Sequence, residues 1–200
     1  MSDARRAPAP TIASDAEIQG AEELVILVDP DDNEIGSLPK LRAHRERRLH
    51  RAISVFIFDP AGNLLLQRRA AGKYHSAGLW TNTCCSHPRP GERVEAAASR
   101  RLREEMSLSC ELRHVFAFTY EATLGAGLFE HELDHVFVGQ GSAAPAPDPA
   151  EVAAWRWIAP DALDRELREQ PADFTAWFEI ALRELRARGE RGPRASVTSR

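Results

Sequence analysis

Between Trp80 and Glu105 the chain reads WTNTCCSHPRPGERVEAAASRRLREE, a mixture of thiols, an imidazole, a Pro-Gly turn and paired glutamates that no purely structural segment needs. Thiol, imidazole and carboxylate are the side chains that carry protons and hold metals. Further on, Glu130 and Glu132 stand two apart in EHELDH, which puts them on one face of a strand. If that face is buried, a shared cation or one raised pKa is the physical expectation; if it faces water, the pair means nothing. His44, His50 and His87 with Glu130, Glu132 and Glu105 make a mixed nitrogen and oxygen set of the kind that Mg²⁺, Mn²⁺ or Zn²⁺ takes at catalytic sites. Taken one at a time, each histidine reads as a surface or hydrogen-bonded residue. Arg68, Arg69 and Lys73 leave an apolar strand just before the Cys-His stretch, where they could meet a phosphate or form ordinary surface charge.

These residues need elements to hold them. Glu23 to Val28, Glu34 to Leu38, Ala52 to Phe58, Asn63 to Gln67, Val115 to Ala122 and Ala154 to Ile158 read as strands, with a hairpin turn at Asp59 to Gly62 and a strand that turns apolar after Glu130. Thr123 to Phe129 reads as a Gly-containing connection. At 100° per residue Val94, Ala97, Ala98 and Leu102 share an apolar helical stripe, with Arg101 and Glu105 in its middle. Two charges there mean an i,i+4 ion pair at the stripe's edge, or a face that looks onto a cation and an anionic substrate. A short helix begins near Pro160. Pro171 is expected to open a longer one, with Phe174, Trp177, Phe178, Ala181, Leu182 and Leu185 facing the core.

Hydrophobic residues make up 43% of 200, enough for one domain over 21–186, with Ala/Pro/charge-rich tails at 1–20 and 187–200. A net charge of −4 gives no general pull toward nucleic acid, and apolar runs such as Ile53 to Phe58 are too short to span a bilayer. The first 20 residues hold no apolar signal-peptide core. Three cysteines, two of them neighbours, suit reduced thiols, so the expected setting is cytoplasmic, with no membrane or nucleic-acid partner and a monomeric state.

From about residue 22 to residue 182 the chain resembles the type 1 isopentenyl-diphosphate isomerases of the Nudix superfamily. The matching blocks are KLRAH at Lys40 to His44, Leu49-His50, Gln67 to Arg69, Lys73, GLWTNTCCSHPRPGE at Gly78 to Glu92, Arg100 to Glu105, Tyr120, Glu130 to Glu132 and Phe174 to Trp177. The Nudix signature, laid on from Ser86, gives Glu92, Arg100, Arg101, Leu102, Glu104, Glu105, Ser107 and Leu108. Ser86 and Ser107 stand where that signature has glycine, and Arg101 where it has a glutamate. Losing that glutamate removes a ligand for the metals of Nudix hydrolases and adds a cation, which favours holding a diphosphate without cleaving it.

The resemblance implies an α/β (α+β) Nudix fold, a mixed sheet sandwiched between helices, with the segment around His44 and His50 closing the site. It implies interconversion of isopentenyl and dimethylallyl diphosphate through a tertiary cation. Cys85 and Glu132 would be the proton-transfer groups, with Tyr120 beside Glu132 and the π face of Trp177 toward the cation, although Trp177 fits core packing equally well. His44, His50, His87, Glu130 and Glu132 would hold one Mn²⁺, Mg²⁺ or Zn²⁺. Glu105 and the Cys85 main-chain carbonyl would hold Mg²⁺ arriving with the diphosphate, which Arg69, Lys73, Arg101 and Lys40 would contact. The His44 to His50 interval is one residue shorter than the family pattern, and in a helical linker that rotates one ligand by about 100°. Rival readings are a Nudix diphosphohydrolase and a non-catalytic metal- or diphosphate-binding module.

Overall fold

The computed structural model describes residues 23–73 and 75–190. The expected tail 1–20 lies outside them, as do residues 191–200 of the second tail. The chain builds β1 (Leu24–Val28), β2 (Glu34–Pro39), α1 (Lys40–Arg45), β3 (His50–Phe58), β4 (Leu64–Arg69), β5 (Trp80–Thr81), β6 (Cys84–Ser86), α2 (Val94–Met106), β7 (Leu112–Gly125), β8 (Leu128–Gln140), β9 (Val152–Ile158), α3 (Pro160–Glu169) and α4 (Ala176–Ala187).

All nine strands join one mixed sheet centred on β3. Along one edge β3 runs parallel to β8, from His50↔Glu132 to Phe58↔Gln140. On its other edge it pairs antiparallel with β6, Ser54 opposite Cys85, and meets β4 only at Phe58↔Leu64. β4 carries β5 and β9, β8 carries β7, and β1 with β2 extends the His50 end.

Both faces of β3 are covered, which is why Ile53 to Phe58 is an unbroken apolar run and not an alternating one. Phe56 and Phe58 turn toward α4, packing with Val136, Phe178, Ala181 and Leu185. Ile53, Val55 and Ile57 turn the other way, toward Ala97, Ala98, Leu102 and Met106 of α2. Each fully buried Phe or Leu contributes about 1.5–3 kcal/mol to this sandwich. On the α4 side, the same alternation brings His50 and Ser54 of β3 beside Glu130, Glu132 and Asp134 of β8.

Three expectations need correction. The strands extend to Gly125 and from Leu128, so the connection expected over Thr123 to Phe129 shrinks to a tight turn; positive φ at Gly125, Ala126 and Gly127 reverses the chain within it. The helix expected from Pro171 starts at Ala176. Pro171–Asp173 is a 3₁₀ turn, and Phe174 and Thr175 are extended because the Thr175 N–H donates to the Trp80 carbonyl at 3.0 Å. The second tail was expected from residue 187, but Ala187 closes α4 and Glu190 accepts from Arg113 at 2.6 and 3.0 Å.

Candidate active site

The WTNTCCSH stretch folds as it does because its hydroxyls and amide bond to the sheet around it. Thr83 Oγ1 donates to the Leu65 carbonyl at 2.7 Å and accepts from the Ile57 N–H at 2.9 Å, tying β3 to β4 where their own ladder has parted. Asn82 Nδ2 donates to the carbonyls of Val55 and Cys84 at 3.2 and 2.9 Å. That leaves Asn82 Oδ1 to accept from Thr81 Oγ1 at 2.9 Å and from the Cys85 thiol at 2.7 Å. Cys85 is thus aimed by a neighbour whose own orientation is fixed. Its sulfur also accepts from Trp177 Nε1 at 3.2 Å and lies 3.8 Å from Ser54 Oγ. Burial and the nearby Asp134 carboxyl push the thiol up to about 12, so it rests protonated. Cys84, one residue back, points into the α2 side of the core and is fully buried.

Across β3 from Cys85, Glu132 accepts from Tyr120 Oη at 2.6 Å and lies 3.0 Å from His87 Nε2 and 3.5 Å from His50 Nε2. Burial works against its charge, but the His50 and His87 imidazoles outweigh it and hold the Glu132 pKa well below the ordinary carboxylate range. For Glu130 burial and the Glu132 charge act together and push its pKa well above that range. The face is therefore buried, and the two carboxyls take opposite protonation states. Burial also depresses His44 to about 2 and lowers His87, so both rings offer lone pairs.

Of the reading of each histidine as a surface or hydrogen-bonded residue, the surface half is overturned, since His44, His50 and His87 are 1%, 0% and 6% exposed, and the hydrogen-bonded half holds for His50 and His87. The short His44–His50 linker does not separate them, because α1 stops at Arg45 and Arg47 takes a left-handed φ of 54°. Their ring centroids lie 5.1 Å apart, and His87 stands 5.1 Å from His50. His44, His50, His87 and Glu132 place ligand atoms within 4.8 Å of one another. His50 Nε2 and Glu130 Oε2 are buried with no hydrogen-bond partner among the described residues, and His50 Nδ1 is 2.7 Å from the Arg48 carbonyl. An imidazole held by its far nitrogen, its near lone pair turned inward, is the posture of a metal ligand. The donor set fits a divalent ion.

On α2 the i,i+4 ion-pair reading of Arg101 and Glu105 holds. Arg101 donates to Glu105 at 2.6 Å and to Glu104 at 2.7 Å, and Glu105 also accepts from Gln67 at 3.0 Å. Burial opposes the Arg101 charge, but the Glu105 carboxylate more than restores it, and its pKa rises. Glu92 and Arg100 instead form a two-pronged pair at 2.7 and 2.7 Å that fastens the loop to the helix. Ser107 caps α2 in the left-handed region, φ 53°, which is where glycine is favoured.

One cleft is lined by Lys40, His44, Arg69, Lys73, Cys85, His87, Arg101, Glu105, Tyr120, Glu130, Glu132 and Trp177. Of the side chains singled out in the sequence as site candidates, His50 and Arg68 lie off its wall: His50 Nε2 stands 3.5 Å from Glu132, and the exposed Arg68 instead donates to the Gly78 carbonyl at 2.7 Å. Among the cations, Lys73 is paired with Glu151, Lys40 with Glu23 at 3.1 Å, and the Arg69 guanidinium lies 5.1 Å from the Trp177 ring. Ser54 and His75 also line the cleft and were not anticipated. Neither was Asp134, 1% exposed, which burial and the Glu132 charge push up to about 8. Asp134 continues the two-residue period of Glu130 and Glu132, the one signal that could have marked it.

A NUDIX domain family model matches residues 48–178. The isopentenyl-diphosphate Delta-isomerase of Burkholderia multivorans is 55% identical over 161 residues, covering 80% of this chain and 92% of that protein. That of Serratia proteamaculans is 52% identical over 166 residues, covering 83% and 93%. Among solved structures, a Deinococcus radiodurans protein has a TM-score of 0.67 at 22% identity, covering 80% of this chain and 98% of its own. The MutT protein from Methanosarcina mazei Go1 has a TM-score of 0.58 at 18% identity, covering 71% and 96%. At such identities these two speak for the fold alone, whereas the relatives at 52–55% identity speak for the family. By fold, site and kinship, the chain belongs to the isopentenyl-diphosphate Delta-isomerase family of NUDIX-fold enzymes.

Proposed function

We propose that this isomerase interconverts isopentenyl diphosphate and dimethylallyl diphosphate, in isoprenoid biosynthesis, by a metal-dependent 1,3-proton shift. The observation that carries the reading is the placement of Cys85 and Glu132. They come from strands on opposite edges of β3, Cys85 opposite Ser54 and Glu132 opposite His50, and both reach one cleft. A proton added at the alkene terminus C4 leaves a tertiary cation at C3, and a proton lost from C2 completes the shift, so the chemistry needs one proton carrier on each side.

Cys85, aimed by Asn82, and Glu132, braced by Tyr120, are those carriers, and in the reverse direction they exchange duties. Trp177, 4% exposed, lines the same cleft, and its ring would stabilise a desolvated cation there by up to ~2 kcal/mol. Tyr120 and Trp177 also keep water from trapping the cation. Arg69, Lys73 and Arg101, with Lys40 at the rim, bind the diphosphate. His44, His50, His87, Glu130 and Glu132 would hold Mn²⁺, Mg²⁺ or Zn²⁺, and Glu105 with the Cys85 carbonyl would hold Mg²⁺ entering with the substrate. Bound there, the ions supply positive charge that keeps Glu132 ionised and offsets the diphosphate.

Arg101 also argues against hydrolysis, because it stands where the Nudix signature has a glutamate and so removes one metal ligand. The setting we propose is a cytosolic monomer; Cys84, Cys85 and Cys110 are free thiols, and no helix among the described residues is long and apolar enough to cross a membrane. Glu132→Gln tests the assignment. Turnover should fall ~10²–10⁴-fold while the fold persists, because a proton carrier and a ligand charge are removed together. Near-wild-type turnover in a folded Glu132→Gln protein would refute it.

A further inference from the structure

His75 lies in the loop between β4 and β5, in a stretch with neither helical nor strand period, yet its side chain is only 7% exposed and reaches the His/Glu cluster. Its Nε2 stands 3.9 Å from Glu130 Oε1, and its ring centroid is 5.7 Å from that of His44. The second oxygen of the same carboxyl, Oε2, faces His44 Nε2 at 3.7 Å. Glu130 therefore turns one oxygen to each of two imidazoles, at separations too long for a hydrogen bond. Both rings turn a nitrogen toward the carboxyl, and the three ligand atoms lie within 4.8 Å of one another. A divalent ion among the three groups would satisfy all of them at once.

The rest of the loop supports the same posture. His75 Nδ1 lies 3.3 Å from Ser76 Oγ, an acceptor for its N–H, as the Arg48 carbonyl is for His50. Arg69 Nη2 donates to the His75 carbonyl at 3.2 Å and holds the loop over the cleft. His44, His75 and Glu130 form a second group whose ligand atoms lie within 4.8 Å of one another, and it shares His44 with the group of His50, His87 and Glu132. A neutral imidazole has one lone pair, so His44 cannot serve two ions. The two groups must converge on one.

We propose that His75 is a sixth donor to a single divalent-ion site, completing the set of His44, His50, His87, Glu130 and Glu132. The inference rests on that cluster holding the ion at all. An octahedral shell with bonds of about 2.1 Å sets neighbouring donors roughly 3.0 Å apart, and the closest donor separations measured here, 3.0 to 3.9 Å, contract to it with small side-chain shifts. Six protein donors leave no open position. The ion then organises Glu132 without carrying a water, and no metal-bound water stands ready to attack the tertiary cation.

The test uses the full chain labelled with nitrogen-15 histidine and loaded with cadmium-113. The expected NMR spectrum couples cadmium to the ring nitrogens of His44, His50, His75 and His87. In His75→Ala the His75 coupling disappears, Cd²⁺ affinity by chelator competition falls ~10- to 100-fold, and free imidazole restores it. Coupling to His44, His50 and His87 alone, with unchanged affinity in His75→Ala, overturns the role of His75 and leaves the ion site standing. Cadmium coupled to none of them overturns both. Unchanged Cd²⁺ affinity with weakened binding of inorganic pyrophosphate would make His75 a diphosphate contact and also overturn the inference. If His75→Ala does not fold, the couplings in the unaltered chain decide.

Discussion

The indole N–H of Trp177 donates to the sulfur of Cys85 at 3.2 Å, joining the core stripe of α4 to the thiol proposed to move a proton. Trp177 is therefore a core residue and a site residue at once. Trp177→Phe keeps an aromatic face and most of the volume but removes the donor. The expected result is a kcat lower by ~10-fold, with stability reduced by no more than ~1.5 kcal/mol. Trp177→Ala should cost ~3–5 kcal/mol in urea unfolding. A kcat unchanged in Trp177→Phe would reduce the residue to packing.

Arg101 is held by Glu105, whose side chain is 4% exposed. Arg101→Ala leaves that carboxylate buried beside Gln67 alone and should destabilise the fold by ~1–3 kcal/mol. Adding Glu105→Gln removes the stranded charge and should recover most of the loss, as a double-mutant cycle would register. Affinity for inorganic pyrophosphate should fall at least ~10-fold in Arg101→Ala and stay low in the double variant. Pyrophosphate binding restored together with stability would remove Arg101 from the diphosphate site.

Glu92 gives the pH dependence its sign. Hydrogen bonds from Arg100 hold its carboxyl below the usual value of 4.5 against the opposing effect of burial. Its folded pKa lies below its unfolded one, so its contribution is present above pH ~4.5 and is lost as pH falls through the folded value. Glu92→Gln should therefore be less stable than the unaltered chain at neutral pH, by no more than ~1 kcal/mol at this boundary position. Melting curves of the two should converge in acid; a gap that widens there would contradict the pairing.

Much of this site was legible because its residues obey the periods of their elements. Glu130 and Glu132 share a face by alternation, Arg101 and Glu105 share a stripe by helical turn, and the apolar run of β3 announced a strand buried on both sides. What escaped was set by contacts distant in sequence. The start of α4 depends on a hydrogen bond from Thr175 to Trp80, so Pro171 was a misleading helix signal. His75 sits in an aperiodic loop whose carbonyl at that residue is held by Arg69 from the preceding strand. Asp134 did follow the alternation, but between Leu133 and His135 it had no partner in sequence to mark it. The shortened His44–His50 interval threatened a rotation only for a continuous helix, and the left-handed Arg47 ends that helix early.

The central claim is tested most directly by proton NMR of the purified protein with isopentenyl diphosphate and Mg²⁺ in D₂O, alongside a phosphate-release assay. Proton transfer through Cys85 and Glu132 predicts dimethylallyl diphosphate carrying deuterium, with no phosphate released. Phosphate release without rearrangement of the alkene would contradict the isomerase and make the chain a hydrolase.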